Sequence, residues 1–293
     1  MAVHDDLGMR MKSNYEQITK FRLTRRTPVI IRLDGKAFHS FTRHFKRPFD
    51  LLLMDVMHNT MRYLCENIQG CVFGYTQSDE ISLLLVDYKR LSSSAWFDNE
   101  VQKICSISAS MATLAFNKTF DDFVTAVDPW ISFYEPKDDP DTKITRRLAK
   151  LYGLDPENMD NLREQIRIYR AAQEKGAMFD ARCFNIPKEE VTNYFYWRQL
   201  DATRNSIEMA GQAQFSHKEL QNKSCNMIQD MLHEQRNINW NDYPTDCKRG
   251  ACCYKVYKLV NDKERSEWIV DHEIPIFNHD RDYIDVWLEP EEC

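Results

Sequence analysis

The sequence predicts an α+β protein centred on a split-βαβ (ferredoxin-like) antiparallel sheet with helices on one face. Strand and helix patterns follow one another in the order strand, helix, strand, strand, helix, strand, and a tight turn separates the two middle strands. A helical insert and a C-terminal extension lie outside this order. The predicted elements are a strand at 27–35, a helix at 48–70, two strands within 71–88, a helix at 98–120, a strand at 177–187 and a helix at 188–212.

The first four elements have the clearest patterns. "TPVIIRLDG" (27–35) has a proline near its start, β-branched residues in its middle and a glycine at its end, which is typical of a strand. The stretch 48–70 is rich in helix formers and ends at a glycine. "CVFGYTQSDEISLLLVDY" (71–88) predicts two apolar strands around a tight turn that carries two acids.

The later part of the chain is less regular. A charged insert at 138–176 predicts two short surface helices broken by "GLDP", and the chain beyond about 213 has no clear pattern. We therefore divide the chain into a sheet domain of residues 1–137 and 177–212, the insert 138–176 and a C-terminal region 213–293.

Composition limits the class of protein. The chain has 293 residues, of which 43% are hydrophobic, so it can bury a sizeable core. No run of 18 apolar residues exists and the N-terminus lacks the apolar stretch of a signal peptide, so we expect no membrane contact. The nine cysteines form no CxxC motif, and "CKRGACC" (247–253) lacks zinc-finger spacing. We expect free thiols in a reducing, cytoplasmic compartment and no zinc site at residues 247–253.

Positive charge is concentrated near the N-terminus. Eleven Lys and Arg residues lie between Arg10 and Arg47, against two acids, although the whole chain has a net charge of −6. A basic face on an acidic protein suits a polyanionic ligand such as a nucleic acid. The alternative is an ordinary solvated surface, which composition alone does not exclude.

Two acidic positions are expected to meet at one end of the sheet. Asp34 and Gly35 end the first strand, and Asp79 lies in the turn between the two strands that follow. In the split-βαβ order the first and third strands are central neighbours, so this strand end and this turn lie side by side. The alternative is that Asp79 and Glu80 are ordinary turn residues, and for Glu80 we prefer this interpretation.

Such an acidic pair predicts a metal site. Nearby carboxylates repel one another unless a cation lies between them, and oxygen ligands suit Mg²⁺. Two Mg²⁺ ions about 4 Å apart can stabilise the attacking and leaving oxygens of an in-line phosphoryl transfer. A triphosphate substrate also needs basic side chains, although each candidate could equally be a surface charge. The candidates are Arg32, Lys36, Lys46, Arg47, Lys103 and Arg182.

Five short segments resemble one enzyme family. They are "RLDGKAFHSF" (32–41), "RPFD" (47–50), "YTQSDEISLLL" (75–85), "FDAR" (179–182) and "YFYWRQLDATRNS" (194–206). In order and approximate spacing they resemble the motifs of the tRNA(His) guanylyltransferase family, which are polymerases that add nucleotides in the 3′-to-5′ direction. The resemblance covers roughly residues 10 to 210.

The resemblance implies a palm-like fold and a set of roles. Asp34, Asp79 and the carbonyl of Gly35 would hold two Mg²⁺ ions. The incoming nucleotide would be lined by residues 34 to 39 (Asp34, Gly35, Lys36, Ala37, Phe38 and His39) with Ser78 and Asp79, and its triphosphate would be held by Arg32, Lys103 and Arg182. Lys46, Arg47 and Asn205 are candidates for tRNA contact. The tRNA 5′ end, activated with ATP or already a triphosphate, would be attacked by the 3′-hydroxyl of GTP or another NTP. Family members are commonly tetramers, so a homotetramer is expected.

Departures from the family pattern bear on the substrate. Lys36, Arg47 and Ala181 replace the more usual Arg, Lys and Gly. Enzymes that add guanylate to tRNA(His) in eukaryotes show His-Ile-Asn-Asn where this chain has residues 203–206, and Asn205 alone remains. The chain therefore looks more like the branch that repairs 5′-truncated tRNAs by templated addition. Alternatives are a dedicated tRNA(His) guanylyltransferase, a cyclase-like nucleotide enzyme, and an inactive RNA-binding protein.

Overall fold

The central element of the protein is a six-stranded sheet in which every neighbouring pair of strands is antiparallel. The structure, a computed structural model, describes residues 5–132, 159–260 and 263–290. The strands are β1 Val29–Gly35, β2 Cys71–Gln77, β3 Glu80–Leu85, β4 Phe179–Asn185, β5 Ala251–Val260 and β6 Lys263–Asp271, in the spatial order β4-β1-β3-β2-β5-β6. The predicted α+β, palm-like fold class is confirmed.

Helices connect and cover these strands. They are α1 Asp6–Met11, α2 Phe38–Phe41, α3 Leu51–Asn67, α4 Val101–Ser132, α5 Met159–Lys175, α6 Lys188–Gln214, α7 His217–Leu220, α8 Cys225–Arg236, α9 Thr245–Arg249 and α10 Asp282–Asp285. A π-helical turn occupies Lys12–Glu16, and 3₁₀ turns occupy Trp96–Asn99, Trp240–Asp242 and Val286–Leu288. All the strands and helices predicted for the sheet domain are present, with α4 extending beyond its predicted end.

The helix α3 begins at a residue of the motif "RPFD". Asp50 is its N-cap and accepts a hydrogen bond from the N–H of Leu53 at 3.0 Å. The other carboxylate oxygen of Asp50 accepts bonds from the N–H of Lys46 at 3.0 Å and the hydroxyl of Tyr169 at 2.9 Å. Burial raises the pKa of Asp50, and these three hydrogen bonds oppose that rise. One buried side chain thus starts α3, fixes the loop before it and anchors α5.

One face of the sheet packs against α3, α4 and α5. The alternate residues Ile31, Leu33, Ile81 and Leu83 point into this layer and are fully buried. A run of aromatic rings fills the space between the strands and the helices, namely Phe38, Phe41, Phe45, Phe116, Phe120 and Tyr169. Contacts with this aromatic layer fix the loops that follow β1.

The second face is also covered, which the sequence-based prediction did not include. The helix α6 packs there through Phe195, whose ring meets Phe73 and Tyr75 of β2, and through Tyr194, whose ring meets Phe184 of β4. The C-terminal region adds Phe277, which packs on Tyr75. The surface left for a substrate is therefore the end of the sheet where β1 and the β2–β3 turn meet.

The structure describes part of the predicted insert 138–176 and most of the C-terminal region 213–293, which both lie outside the palm order. Residues 138–158 of the predicted insert lie outside the described residues. The rest of the insert forms α5, which buries Ile166, Tyr169 and Ala172, so this helix is more than a surface element. From the C-terminal region, β5 pairs with β2 and β6 pairs with β5, which extends the sheet. The division into three parts remains a prediction.

Cysteines and apolar helices add two observations. The eight cysteines within the described ranges are all free thiols. Across the same ranges, no helix combines the length and hydropathy that crossing a lipid bilayer requires.

Candidate active site

Asp34 and Asp79 lie side by side at the end of the sheet, as their positions in the sequence predicted. Asp34 pairs in register with Glu80 across β1 and β3, and the N–H of Gly35 donates a hydrogen bond to the carbonyl of Asp79 at 3.0 Å. The β2–β3 turn is closed by Ser78, whose φ of 51° is left-handed. Backbone bonds therefore hold the strand end and the turn together.

The two carboxylates influence one another. Asp79 is half-buried, and both this burial and the negative charge of Asp34 raise its pKa. The hydroxyl of Ser78 donates to Asp79 at 3.1 Å, which favours the charged form to a smaller extent. In the described part of the chain, no Lys or Arg forms an ion pair with either acid. The site concentrates negative charge that an external cation can balance.

A tight turn after Asp34 shapes the wall of the site. A Cβ atom on Gly35 would lie 2.2 Å from the ring of Phe38, so only glycine fits here. Ala37 has a left-handed φ of 55° and precedes α2. Phe38 is buried and contacts Phe116. The aromatic core thus fixes the turn, and its backbone faces the cavity.

The acids open into a cavity of about 1100 Å³, a volume that includes space open to solvent. It collects nine of the residues predicted from the sequence, which are Asp34, Gly35, Ala37, Phe38, His39, Lys46, Arg47, Ser78 and Asp79. The opposite wall comes from Met209 and Gln212 on α6. The cavity therefore brings together the candidate metal ligands, the turn after β1 and the basic side chains of Lys46 and Arg47. It is large enough for a nucleotide.

Five predicted residues lie outside the lining of this cavity. Lys36 is exposed, and its N–H donates to the carbonyl of Met178 at 2.8 Å. Lys103 is exposed on α4, with its ammonium 5.8 Å from the centre of the Phe97 ring. Asn205 lines a neighbouring cavity between α3 and α6.

Arg32 and Arg182 are the other two predicted residues that lie outside the lining of the cavity. They face each other across β1 and β4, and their partners differ. Arg32 bonds to Glu80 at 2.7 Å, whereas the half-exposed Arg182 bonds to Asp180 at 3.0 Å. Of the two, Arg182 has the more exposed side chain.

The sequence-based interpretation of Glu80 as a solvated turn acid is wrong. Glu80 is 4% exposed and is the first residue of β3, so its side chain points under α6 instead of into water. Arg198 of α6, also 4% exposed, forms two bonds of 2.7 Å to its carboxylate. Arg198 is further bonded to Asp201 at 2.9 Å. The motif "WRQLD" indicated only the local part of this network, because Arg198 and Asp201 are three residues apart on one helical face.

Comparisons with known proteins agree with this geometry. A bacterial tRNA(His) guanylyltransferase (Thg1)-like protein in complex with ATP superposes with a TM-score of 0.72 and 37% identity, covering 97% of this chain and 99% of that one. A complex of such a bacterial protein with GTP gives a TM-score of 0.70 and 36% identity, with the same coverage. The tRNA(His) guanylyltransferase of Debaryomyces hansenii is 25% identical over 268 residues, covering 86% of this chain and 83% of that protein. Residues 8–187, more than half of the chain, match the family model of tRNAHis guanylyltransferase (Thg1). The chain is a nucleotidyltransferase of the tRNAHis guanylyltransferase family.

Proposed function

We propose that this nucleotidyltransferase adds nucleotides in the 3′-to-5′ direction to the 5′ end of tRNA, with Asp34, Asp79 and the carbonyl of Gly35 as ligands of two Mg²⁺ ions. The observation that carries the proposal is the pairing of Asp34 and Asp79 on one wall of a nucleotide-sized cavity. Oxygen donors of this kind suit a hard cation, and the two neighbouring carboxylates, one of which raises the pKa of the other, support a bound cation there. When bound, the ions would neutralise charge on the attacking and leaving oxygens.

The chain's own residues then hold the reactants. The turn from Gly35 to His39 and the hydroxyl of Ser78 line the nucleotide, and Arg182, with Arg32 and Lys103 as further candidates, approaches its triphosphate. The 3′-hydroxyl of GTP or another NTP attacks the 5′ phosphorus of a tRNA that carries a triphosphate or has been activated with ATP. A phosphodiester bond forms, and pyrophosphate or AMP leaves. No protein nucleophile is required, because the attacking group belongs to the nucleotide.

ATP and GTP are proposed as substrates on the strength of the bacterial relatives, whose complexes hold one or the other. For tRNA, the proposal rests on the basic segment 10–47, from which Lys46 and Arg47 line the active-site cavity. We also propose a homotetramer in the cytoplasm, where free thiols persist, and retain the three-part domain division.

Templated repair is the preferred reaction because of residues 203–206 on α6. Ser206 is buried and accepts a hydrogen bond from the indole of Trp240 at 3.0 Å, and Thr203 bonds to the carbonyl of Gln199 at 3.0 Å. These side chains serve the local structure of α6, and none is the histidine of the dedicated guanylyltransferases. Asn205 remains directed at a cavity beside the active site.

The test is an end-labelled assay with Mg²⁺ and all four NTPs. One substrate is full-length tRNA(His), and the other is a non-histidine tRNA that lacks its first 5′ nucleotide. Addition to the truncated tRNA of the nucleotide that pairs with the facing base supports templated repair. Addition of G to tRNA(His) alone, whatever the opposite base, would identify a dedicated guanylyltransferase. No addition to either, with NTP binding retained, would favour the cyclase-like alternative.

A further inference from the structure

Two histidines and an aspartate from distant parts of the chain meet beside the candidate active site. His58 lies on α3, Asp246 lies in α9, and His272 directly follows β6. One potential ligand atom from each residue lies within 4.8 Å of the other two. Tertiary packing alone brings these residues together, since at least 26 positions separate any two of them in the sequence.

The spacing is close to that of a metal site. Nδ1 of His272 and Oδ2 of Asp246 are 3.1 Å apart, and the rings of His58 and His272 meet edge to face with centroids 4.8 Å apart. Tetrahedral ligands at the usual Zn²⁺ distances are separated from one another by roughly 3.3 Å. One pair already has this spacing. The side chain of His272 is 50% exposed, so it is free to close the remaining distance.

Neighbouring groups orient the side chain of Asp246 and hold the segment that carries His272. The other carboxylate oxygen of Asp246 accepts the N–H of Cys247 at 2.8 Å, which leaves Oδ2 directed at His272. The hydroxyl of Thr245 donates to Glu273 at 2.6 Å, so α9 and the segment after β6 are joined on both sides of the cluster. Supporting hydrogen bonds of this kind are a regular feature of metal-binding sites in proteins.

His58 contributes a buried ring. It is 8% exposed, and a neutral imidazole offers one nitrogen lone pair as a metal ligand. His58 and Asp246 line a cavity whose wall also contains Gln77 and Ser78 from the β2–β3 region. The cluster therefore borders a cavity that extends toward the β2–β3 turn.

We propose that His58, Asp246 and His272 form a binding site for a divalent transition metal such as Zn²⁺, separate from the Asp34–Asp79 pair. Two imidazoles and one carboxylate are a donor set that Zn²⁺ prefers, whereas Mg²⁺ prefers oxygen ligands alone. Water completes the coordination. The ion ties α3 to α9 and to the end of β6, so it fixes the C-terminal region against the helix that begins beside the catalytic cavity.

The test uses Co²⁺ as a spectroscopic probe and Zn²⁺ as its competitor. The full-length chain carries Asp34→Asn and Asp79→Asn, so that the catalytic carboxylates do not bind the probe. One Co²⁺ per chain is expected, with visible absorption, no thiolate charge-transfer band, and displacement by Zn²⁺. Adding His272→Asn or Asp246→Asn should weaken the Co²⁺ affinity at least about 10-fold. Mutation of residues that only hydrogen-bond to a metal ligand already causes a loss of this size, so loss of a ligand itself should cost no less. Zn²⁺ should also raise the Tm of the parent chain and not that of these variants.

His279→Asn is the matched control, because this exposed histidine lies seven residues beyond His272 and outside the cluster. It should leave both affinity and stoichiometry unchanged. Asp246 and His272 are at least partly exposed, so we expect the variants at these two positions to fold. His58 is buried, and a change there could prevent folding. Equal binding by all variants, a thiolate band, or no binding by the parent chain would each overturn the proposal and leave the contact of His272 with Asp246 as an ordinary hydrogen bond.

Discussion

Asp79 and Glu80 are adjacent in the sequence and have opposite surroundings. Glu80 is buried and bonded to Arg198 and Arg32, so its charge is satisfied within the protein. Asp79 faces a cavity beside Asp34, and the two acids repel one another. The environment changes between these two neighbouring residues because Asp79 is the last residue of the turn and Glu80 is the first residue of β3.

The difference separates a structural carboxylate from a functional one. A buried acid whose two oxygens are both bonded to guanidinium groups has little remaining capacity to bind a ligand. Two acids held together without such partners cost folding stability, which is typical of sites that bind a cation or a substrate. The predictions below test whether the two sites can be separated by their effects on activity and stability.

The largest expected effect is on activity at the acidic pair. Asp34→Asn or Asp79→Asn should lower the rate of nucleotide addition by roughly 1000-fold, because the change removes the charge that holds Mg²⁺ while keeping the side-chain shape. Single-turnover addition to a 5′-triphosphate tRNA measures this. Asp230→Asn, at an exposed acid on α8, should have the parent rate. Normal turnover in Asp79→Asn would rule out the two-metal proposal.

The next effect is on stability at the buried network. Arg198→Met should lower the free energy of unfolding by about 3 kcal/mol, because it leaves the buried carboxylate of Glu80 with one cation fewer. Arg62→Met breaks the exposed pair with Glu66 at 2.9 Å and should cost less than about 1 kcal/mol. Urea unfolding compares the two variants. Equal losses would show that the Glu80 network is no stronger than a surface pair.

Gly35→Ala tests the wall of the site. The new methyl group would collide with the Phe38 ring, so we expect a loss of stability of about 1–3 kcal/mol. The displaced turn should also raise the apparent KM for NTP. Adding Phe38→Leu removes part of the ring, so the effect of Gly35→Ala should be smaller in that background. An identical effect in both backgrounds would contradict the collision.

The raised pKa of Asp79 predicts a pH dependence of stability in the absence of metal. The folded state holds the Asp79 proton more tightly than the unfolded state, whose pKa is near 3.8. This contribution favours folding below the unfolded pKa and is lost as the pH rises through the folded pKa. Asp79→Asn should therefore gain stability relative to the parent chain as the pH rises through this window. Parallel stability curves for the two proteins would show that Asp79 is not destabilised.

The smallest effect concerns tRNA binding. Affinity should fall as salt rises, because neutralised phosphates release counterions. Arg47→Ala removes a cation at the cavity, so the slope of log affinity against log salt should become shallower by about 1. Lys218→Ala, on the exposed helix α7, is the control and should keep the parent slope. A salt-independent affinity would contradict the electrostatic account of the basic segment.

Local sequence patterns predicted the positions of the acids correctly. The apolar run before Asp34 and the two apolar strands around Asp79 identified β1, β2 and β3, and the strand order then brought the acids together. These inferences succeed because alternation, glycine positions and turn length depend on neighbouring residues.

Local sequence patterns could not predict contacts between residues that are far apart in the sequence. The bond from Arg198 to Glu80 spans 118 positions, and nothing near Glu80 in the sequence indicates that α6 covers it. The C-terminal strands were also missed, because β5 joins the sheet through pairing with β2 and much of the β5–β6 hairpin beyond Tyr254 is exposed. Their half-buried sequences lack a clear apolar alternation.

The most direct test of the central claim is a count of the ions at the acidic pair. Mn²⁺ bound in the presence of GTP would be measured by electron paramagnetic resonance, in a chain carrying His272→Asn so that the second site does not contribute. Two ions per chain are predicted with Asp34 and Asp79 intact, and at most one after Asp79→Asn. The same number of ions in both proteins would contradict the assignment of Asp34 and Asp79 as the metal-binding centre.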